Sequence, residues 1–217
     1  MKKPIISVIL PIYNVEAYID ECLNSLINQT IGFENLEVLM VNDCSTDRTP
    51  EIINNYENKY SNFHAIHMEQ NSGAPGKPRN LGIDHANGEY LIFLDPDDYL
   101  PLDAYANLYE TAKSTKSDFV MGKMTSFNEE DGFEYEHITF KNYLLQKHYT
   151  NVKLKEVPFF LQVKTAVYLK LVKTNFVKKN NIKFIEGVKN GEDKYYDMQL
   201  FTKANTFSYI PTCVYMY

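Results

Sequence analysis

The sequence predicts an α/β fold in which helices cover both faces of a mostly parallel sheet, a Rossmann-like arrangement of three layers. From residue 5 to residue 124, short apolar segments alternate with segments of helical apolar spacing. Residues 90–94 form an apolar run with no polar face, as expected for a strand buried on both sides. The run ends in Asp95, Asp97 and Asp98. Such sheets bind their ligands at the carboxyl ends of strands, so these acids are candidate functional residues.

The first part of the chain is predicted to consist of strand and helix units in alternation. The predicted strands are 5–10, 36–41, 63–68, 90–94 and 119–124, and the predicted helices are 15–27, 50–60, 81–86 and 102–114. Thr49 is expected to cap the second helix, with Pro50 at its first position. Residues 71–80 are predicted to be a loop, and Gly88 is predicted to end the helix 81–86.

After residue 124 the pattern becomes less regular. The acidic segment 129–132 is most simply a solvated turn, and no function is assigned to it. Helices are predicted over 165–178 and from Gly191-Glu192-Asp193 to about residue 203, with short strands at 207–210 and 214–217. A length of 217 residues suits a single domain.

Composition excludes several classes of function. The net charge of -6 provides no basic excess for nucleic acid or for an anionic membrane surface. No segment has the ~20 apolar residues of a membrane-spanning helix. The three cysteines lack metal-ligand spacing, so we expect a reduced cytoplasmic setting without a zinc site.

Polar groups follow three predicted strands and should meet at one edge of the sheet. Tyr13 can flank a nucleotide base, and Asp43 can accept a hydrogen bond from a base imide. Asp95 and Asp97 can hold a ribose and a metal-bound diphosphate. Each residue also has a purely local explanation: Tyr13 as a rim aromatic, Asp43 as a turn former, and the Asp-Pro-Asp-Asp segment as a solvated cap.

Two cations in the loop 71–80 are candidates for binding phosphate. Lys77 and Arg79 can neutralise phosphate charge, and arginine can make a bidentate contact. The alternative is a solvated basic pair.

Four segments together resemble family-2 glycosyltransferases of the GT-A fold: 7–14, 41–47, 88–98 and 191–193, in this order and at these spacings. The resemblance runs over nearly the whole chain. The loop from Gly73 to Asn80 resembles, more narrowly, bacterial glycosyltransferases that decorate wall teichoic acid or other surface polymers. One departure is Asn42, which stands where the family commonly has aspartate.

The resemblance implies roles for individual residues. A nucleotide-sugar, most often a UDP-sugar, would bind with its uracil near Pro11, Tyr13 and Asp43. Asp95 and Asp97 match the DxD motif, in which Asp97 would face Mn²⁺ or Mg²⁺ and Asp95 the ribose, with Asp98 as a neighbouring acid. Asp193 would be the catalytic base. Lys77 and Arg79 would neutralise the departing diphosphate, and the basic segment 170–173 would be structural or would line the rim of the site.

The implied reaction is an inverting, metal-dependent transfer of a sugar to a hydroxyl group of a glycan or polyol-phosphate polymer. Residues 1–124 would form the nucleotide-binding half and 125–217 the acceptor-side half of one domain. We expect the chain to continue beyond Tyr217 in the full-length protein, or acceptor binding to lie elsewhere. The expected location is the cytoplasm, with peripheral association at the inner face of the membrane as an option.

Two other functions stay open from the sequence. A nucleotidyltransferase also uses carboxylates and a metal, but it normally has a glycine-rich basic loop after the first strand, unlike residues 11–14. A non-catalytic scaffold that binds nucleotide-sugars in a polysaccharide-synthesis assembly is the third hypothesis, although Asp97 and Asp193 are both present.

Overall fold

The computed structural model describes residues 3–127, 134–136, 138–163 and 166–217. The predicted turn at 129–132 lies outside these residues. The described strands are β1 (Ile6–Ile12), β2 (Leu36–Asn42), β3 (Phe63–His67), β4 (Tyr90–Phe93), β5 (Phe119–Phe127), β6 (Glu134–Glu136), β7 (Tyr149–Val152), β8 (Lys170–Lys173) and β9 (Phe207–Met216). The described α-helices are α1 (Ile19–Ile27), α2 (Thr49–Lys59), α3 (Gly76–His85), α4 (Ala104–Thr115), α5 (Thr174–Lys179) and α6 (Glu192–Lys203).

The described strands form one mixed sheet in the order β3-β2-β1-β4-β8-β5-β9-β7, and β6 pairs with β5. The pairs among β3, β2, β1 and β4 are parallel. β8 runs antiparallel to both β4 and β5, whereas β5 and β9 are parallel. The α/β fold is therefore confirmed. The sheet is more mixed than predicted, because β8 separates the parallel strands β4 and β5.

The predicted helix 165–178 is wrong over most of its described length. A single 3₁₀ turn at Val167–Leu169 leads into β8, and only Thr174–Lys179 is α-helical. Leu171 and Val172 are fully buried between β4 and β5. A short apolar run satisfies helical spacing and a two-sided buried strand equally well, so periodicity did not separate the two structures.

The segment 71–80 is only partly a loop, because α3 begins at Gly76 and already includes Lys77 and Arg79. Pro78 lies in the first helical turn, where its missing N–H costs little. α2 begins one residue early, with Arg48 as the N-cap, so Thr49 is helical.

Gly88 does not end a helix, because α3 ends with Ala86 as its C-cap. Glycine is instead needed at position 88 for close packing. A Cβ atom there would lie 2.6 Å from the backbone nitrogen of Ser7 and 2.7 Å from the carbonyl oxygen of Tyr90. The two C-terminal strands predicted at 207–210 and 214–217 form the single strand β9, whose register against β5 shifts on either side of Lys123.

The core is one continuous apolar cluster that runs through the sheet and its helices. β4 is buried along its whole length, as expected for a strand covered on both faces. No helix among the described residues is both long enough and apolar enough to cross a membrane. The sheet is thus a rigid platform for the loops at its carboxyl edge.

Candidate active site

The loops after β1 and β2 are joined at the carboxyl edge of the sheet. The Asn14 amide donates to Ser45 Oγ at 3.0 Å, and the Thr46 amide donates to Asn14 Oδ1 at 2.8 Å. Asn14 and Cys44 adopt left-handed backbone conformations, with φ of 52° and 61°. Asparagine tolerates this region better than most residues, so the turn chemistry favours the arrangement.

A cavity of about 380 Å³ opens between these loops and the N-terminus of α3. Its lining includes Pro11, Tyr13, Asp43, Pro75, Pro78 and Lys189. The structure thus brings together three residues that the sequence proposed for donor binding. Tyr13 is about half exposed, so one face of its ring is accessible at the rim.

Asp43 is buried, and its carboxylate organises the adjacent loop. Oδ1 accepts a hydrogen bond from the Ser72 amide, and Oδ2 accepts one from the Ser72 hydroxyl, both at 2.8 Å. Asn71 Nδ2 donates to the Asp43 carbonyl at 2.8 Å. Asp43 therefore shapes the cavity wall, and each of its carboxylate oxygens keeps lone-pair capacity for a further donor. Direct contact with a base stays a prediction.

Arg79 joins the two acidic segments of the sequence. Its Nη2 lies 2.9 Å from Asp95 Oδ1, and its Nη1 lies 3.1 Å from Glu192 Oε1 and 2.8 Å from Asp193 Oδ1. Arg79 is only 4% exposed, and its guanidinium lies over the Phe184 ring, 5.2 Å from its centroid. Arg79 therefore holds the end of β4 next to the start of α6. Three carboxylates already bind Arg79 in this structure. Its contact with the donor phosphate stays a prediction.

Asp193 lies in the first turn of α6, after Gly191 in a left-handed conformation with φ of 90°. Burial raises the pKa of Asp193 to about 7. The positive charge of Arg79 acts against this rise, and the negative charges of Glu192 and Asp95 add to it. Arg79 is shared among the three acids and offsets only part of this effect. A carboxylate that titrates near neutral pH is suited to accept a proton.

The three acids after β4 have different surroundings. Asp95 pairs with Arg79, whereas Asp98 Oδ2 accepts a hydrogen bond from the Tyr215 hydroxyl. The Asp97 side chain is exposed and forms no ion pair with a described residue. Although the residue is exposed overall, partial desolvation of its carboxylate and the neighbouring Asp95 charge raise the pKa of Asp97, so a nearby cation would stabilise its ionised form.

The carboxylate after β4 suits a cation that also binds a phosphate group of the ligand. No group of three or more histidine, cysteine, aspartate or glutamate side chains within the described residues is arranged to hold a metal. Mg²⁺ is commonly bound by one or two carboxylates together with substrate phosphates, and Asp97 can supply such a carboxylate. The role of Asp97 as a ligand for Mn²⁺ or Mg²⁺ stays a prediction.

The lysine side chain that lines the cavity is not the one that the sequence predicted. Lys77 is not part of the 380 Å³ cavity lining; it lines a separate crevice with His67 and Glu69. Lys189 lines the cavity instead, and the sequence analysis missed it. Its position two residues before Gly191-Glu192-Asp193 was the available signal.

The basic segment 170–173 forms β8 and is structural in part. Lys173 Nζ donates to the Lys116 carbonyl. Lys170 Nζ is buried and lies 2.9 Å from Asp197 Oδ2 of α6. β8 is therefore bound to the helix that carries Asp193.

Comparison with known proteins finds sugar-transferring enzymes that are similar to this chain. The family model described as Glycosyl transferase family 2 matches residues 7–176. A poly(ribitol-phosphate) beta-glucosyltransferase of Bacillus spizizenii is 38% identical over 203 residues, which cover 94% of this chain and 30% of that protein. The poly(ribitol-phosphate) beta-N-acetylglucosaminyltransferase TarS of Staphylococcus aureus is 35% identical over 97% of this chain and 35% of that protein. The chain thus spans about a third of the length of these relatives.

Solved structures show the same fold. The crystal structure of S. aureus TarS 1-349 in complex with UDP-GlcNAc has a TM-score of 0.85 at 33% identity, covering 98% of this chain and 58% of that chain. The mannosyltransferase PcManGT from Pyrobaculum calidifontis has a TM-score of 0.70 at 18% identity, covering 100% of this chain and 57% of that one. At that identity the second likeness concerns the fold alone.

Proposed function

The chain belongs to glycosyl transferase family 2, and from this premise we propose that it transfers a sugar from a UDP-sugar to a hydroxyl group of a polyol-phosphate polymer. The observation that carries the proposal is the Arg79 ion-pair cluster, which joins Asp193 to the acidic end of β4, while Pro78 next to Arg79 lines the cavity. The printed names of the relatives, poly(ribitol-phosphate) transferases, support this class of acceptor. The complex of TarS with UDP-GlcNAc supports the class of donor.

The 380 Å³ cavity is the proposed donor site. Tyr13 flanks the base, and the buried Asp43 carboxylate accepts a hydrogen bond from the base imide. Pro11 and Pro75 provide apolar walls, which is usual for small-molecule sites with a few placed polar groups. Lys189 supplies positive charge near the diphosphate, in the place that the prediction gave to Lys77.

Asp193 is the proposed general base. The acceptor hydroxyl oxygen attacks the anomeric carbon, the bond from that carbon to the diphosphate oxygen breaks, and the hydroxyl proton passes to the Asp193 carboxylate. Attack opposite the leaving group inverts the anomeric configuration. Arg79 positions the carboxylate through the 2.8 Å contact and lowers its pKa, which favours the ionised form that accepts a proton.

The departing diphosphate gathers negative charge that has to be stabilised. Asp97 would hold Mn²⁺ or Mg²⁺, which when bound would help to neutralise the charge on this leaving group. Asp95 is the proposed ribose contact through the carboxylate oxygen that does not face Arg79. The three free cysteines suit the cytoplasmic setting that we infer.

The test combines donor binding, transfer and stereochemistry. UDP-GlcNAc, UDP-glucose and GDP-mannose are titrated calorimetrically with and without Mn²⁺, and transfer to poly(ribitol phosphate) is measured with labelled donor. We expect tighter binding of the UDP-sugars and an inverted anomeric linkage by NMR. Equal affinity for GDP-mannose contradicts the donor class, and a retained linkage contradicts the mechanism. Tight donor binding without hydrolysis or transfer indicates the scaffold function instead.

A further inference from the structure

A second cavity, of about 480 Å³, lies beside α6 on the part of the sheet formed by β8 and β5. Its walls include Met121 of β5, Phe160 and Phe201, which are buried apolar side chains. Its polar lining residues are Lys170, Asp197, Lys194 and Gln162. None of the donor-site residues contributes to it, so it is separate from the donor cavity.

The buried ion pair in this cavity has unused hydrogen-bonding capacity. Lys170 Nζ donates to the Ala166 carbonyl and to Asp197 Oδ2, both at 2.9 Å. These contacts use two of the three N–H groups of the ammonium. Asp197 is 3% exposed, and its Oδ1 meets no donor with hydrogen-bonding distance and angle among the described residues, although the Ala166 backbone also stabilises the ionised carboxylate. A buried carboxylate oxygen without a partner is costly, so a ligand that donates to it gains affinity.

The chemistry of the cavity matches a polyol phosphate. A hydroxyl group donates one hydrogen bond and accepts others, so it complements Asp197 Oδ1 and the remaining N–H of Lys170 together. The Phe160 and Phe201 side chains suit the carbon backbone of a polyol. Lys194 is exposed on α6 and provides a positive charge for a phosphate group.

The cavity also lies in a suitable place for an acceptor. Asp193 and Asp197 are four residues apart on α6, so they are separated by about 6 Å along the helix axis. In the sheet order, the donor cavity belongs to β1 and β2 and the second cavity to β8 and β5, with β4 between them. The proposed base is linked through Arg79 to Asp95 at the end of β4, the strand between these two parts of the sheet.

We propose that this second cavity binds a polyol-phosphate repeat unit of the acceptor polymer, with Lys170 and Asp197 binding a hydroxyl group and Lys194 the phosphate. The identity of the ligand as acceptor rests on the proposed function. The binding site itself can be tested without turnover.

Methionine methyl groups report on the cavity directly. In protein labelled with ¹³C-methyl methionine, D-ribitol 5-phosphate should shift the NMR signals of Met121 and Met198, which line the cavity, and leave that of Met40 in β2 unchanged. Ribitol alone and inorganic phosphate alone should each bind at least about tenfold more weakly. Unchanged Met121 and Met198 signals, or equal shifts with inorganic phosphate, overturn the proposal.

Two variants separate recognition from folding. Lys194→Ala should weaken ribitol 5-phosphate binding about tenfold, whereas Lys203→Ala, an exposed lysine in the last turn of the same helix, should not. The double variant Lys170→Met/Asp197→Leu removes both buried charges together and should abolish binding while the Met40 signal stays native. Normal binding by this folded variant refutes the role of the pair.

The outcomes distinguish this proposal from the proposed function. UDP-sugar binding and transfer with silent Met121 and Met198 signals leaves the function standing and removes the acceptor site. Shifted Met121 and Met198 signals in a protein that binds no nucleotide-sugar support the polyol-phosphate site and contradict the proposed function.

Discussion

Replacing Asp193 by asparagine tests the assignment of the base. The amide oxygen of the introduced side chain can still accept the hydrogen bond from Arg79 Nη1, but the amide can no longer take a proton. General-base catalysis contributes about 10²- to 10⁴-fold, so kcat for transfer should fall by that factor, or ~3–5 kcal/mol in the barrier. The affinity for UDP should change little, because Asp193 does not line the donor cavity.

The pH dependence gives a second and independent measure of the same residue. Only the ionised carboxylate accepts a proton, and burial raises the pKa of Asp193 to about 7. Transfer by the natural chain should therefore rise with pH, by about tenfold between pH 6 and pH 8 for a single group of that pKa. The Asp193→Asn variant should lose this rise.

The assay is transfer of labelled sugar to polymer at saturating donor, measured from pH 5.5 to pH 8.5 with UDP binding measured in parallel. Glu192→Gln is the matched control, because Glu192 also contacts Arg79 Nη1. Near-normal transfer by Asp193→Asn, or a larger loss in Glu192→Gln, refutes the assignment of the base.

Three further changes test the surroundings of the site. Arg79→Met removes the buried countercharge of three acids, so the free energy of unfolding should fall by ~3–5 kcal/mol, and the midpoint of the pH–rate profile should rise because Arg79 lowers the pKa of Asp193. Arg79→Lys keeps a positive charge, so both the loss of stability and the shift of the midpoint should be smaller. An unchanged midpoint in a folded Arg79→Met variant counts against the coupling between Arg79 and Asp193. Asp97→Asn should remove the Mn²⁺ dependence of UDP affinity while affinity without metal stays the same; a variant that still responds to Mn²⁺ shows that another group holds the cation. Gly88→Ala should destabilise the fold by ~1–3 kcal/mol in urea unfolding, because its Cβ meets the Ser7 backbone, with UDP affinity unchanged. If the Gly88→Ala variant is as stable as the natural chain, β1 and β4 can move apart at little cost in free energy.

The parts of the fold that could be predicted are those determined by local pattern. Residues 90–94 are apolar throughout, and the run is short and lies between Gly88 and Pro96, which favours a strand covered on both faces over a helix, so β4 and its acidic end were predictable. The position of β8 was not, because its neighbours β4 and β5 lie far away in sequence and the same residues satisfy helical spacing.

The site residues also divide into those that local pattern could predict and those that depend on contacts between distant parts of the sequence. Pro11 lies near the end of β1, and Tyr13 and Asp43 directly follow β1 and β2, which pair in parallel, so the convergence of these residues followed from the predicted topology. The partners of Arg79 did not, because Glu192 and Asp193 lie 113 and 114 positions away in sequence. No local rule pairs residues at that separation, and the sequence predicted a phosphate contact for Arg79 from its charge, its bidentate geometry and the family resemblance.

The position of Arg79 depends on how closely α3 approaches the segment before α6. A Cβ atom at Gly76 would lie 2.6 Å from the Ile185 carbonyl oxygen, so only glycine permits this approach. Asn80 then binds the Phe184 backbone in both directions, at 3.0 Å to its carbonyl and 2.9 Å to its amide.

Phe184 continues this connection to α6. Its ring lies under the Arg79 guanidinium and stacks on Tyr196 of α6, with centroids 4.3 Å apart and an interplanar angle of 8°. α3 and α6 are thus held through one aromatic side chain, and Arg79 and Asp193 are each fixed by the element that carries them. A base that depends on a 2.8 Å contact between two helices needs this support, because a displacement of about 1 Å can cost about 10²-fold in rate.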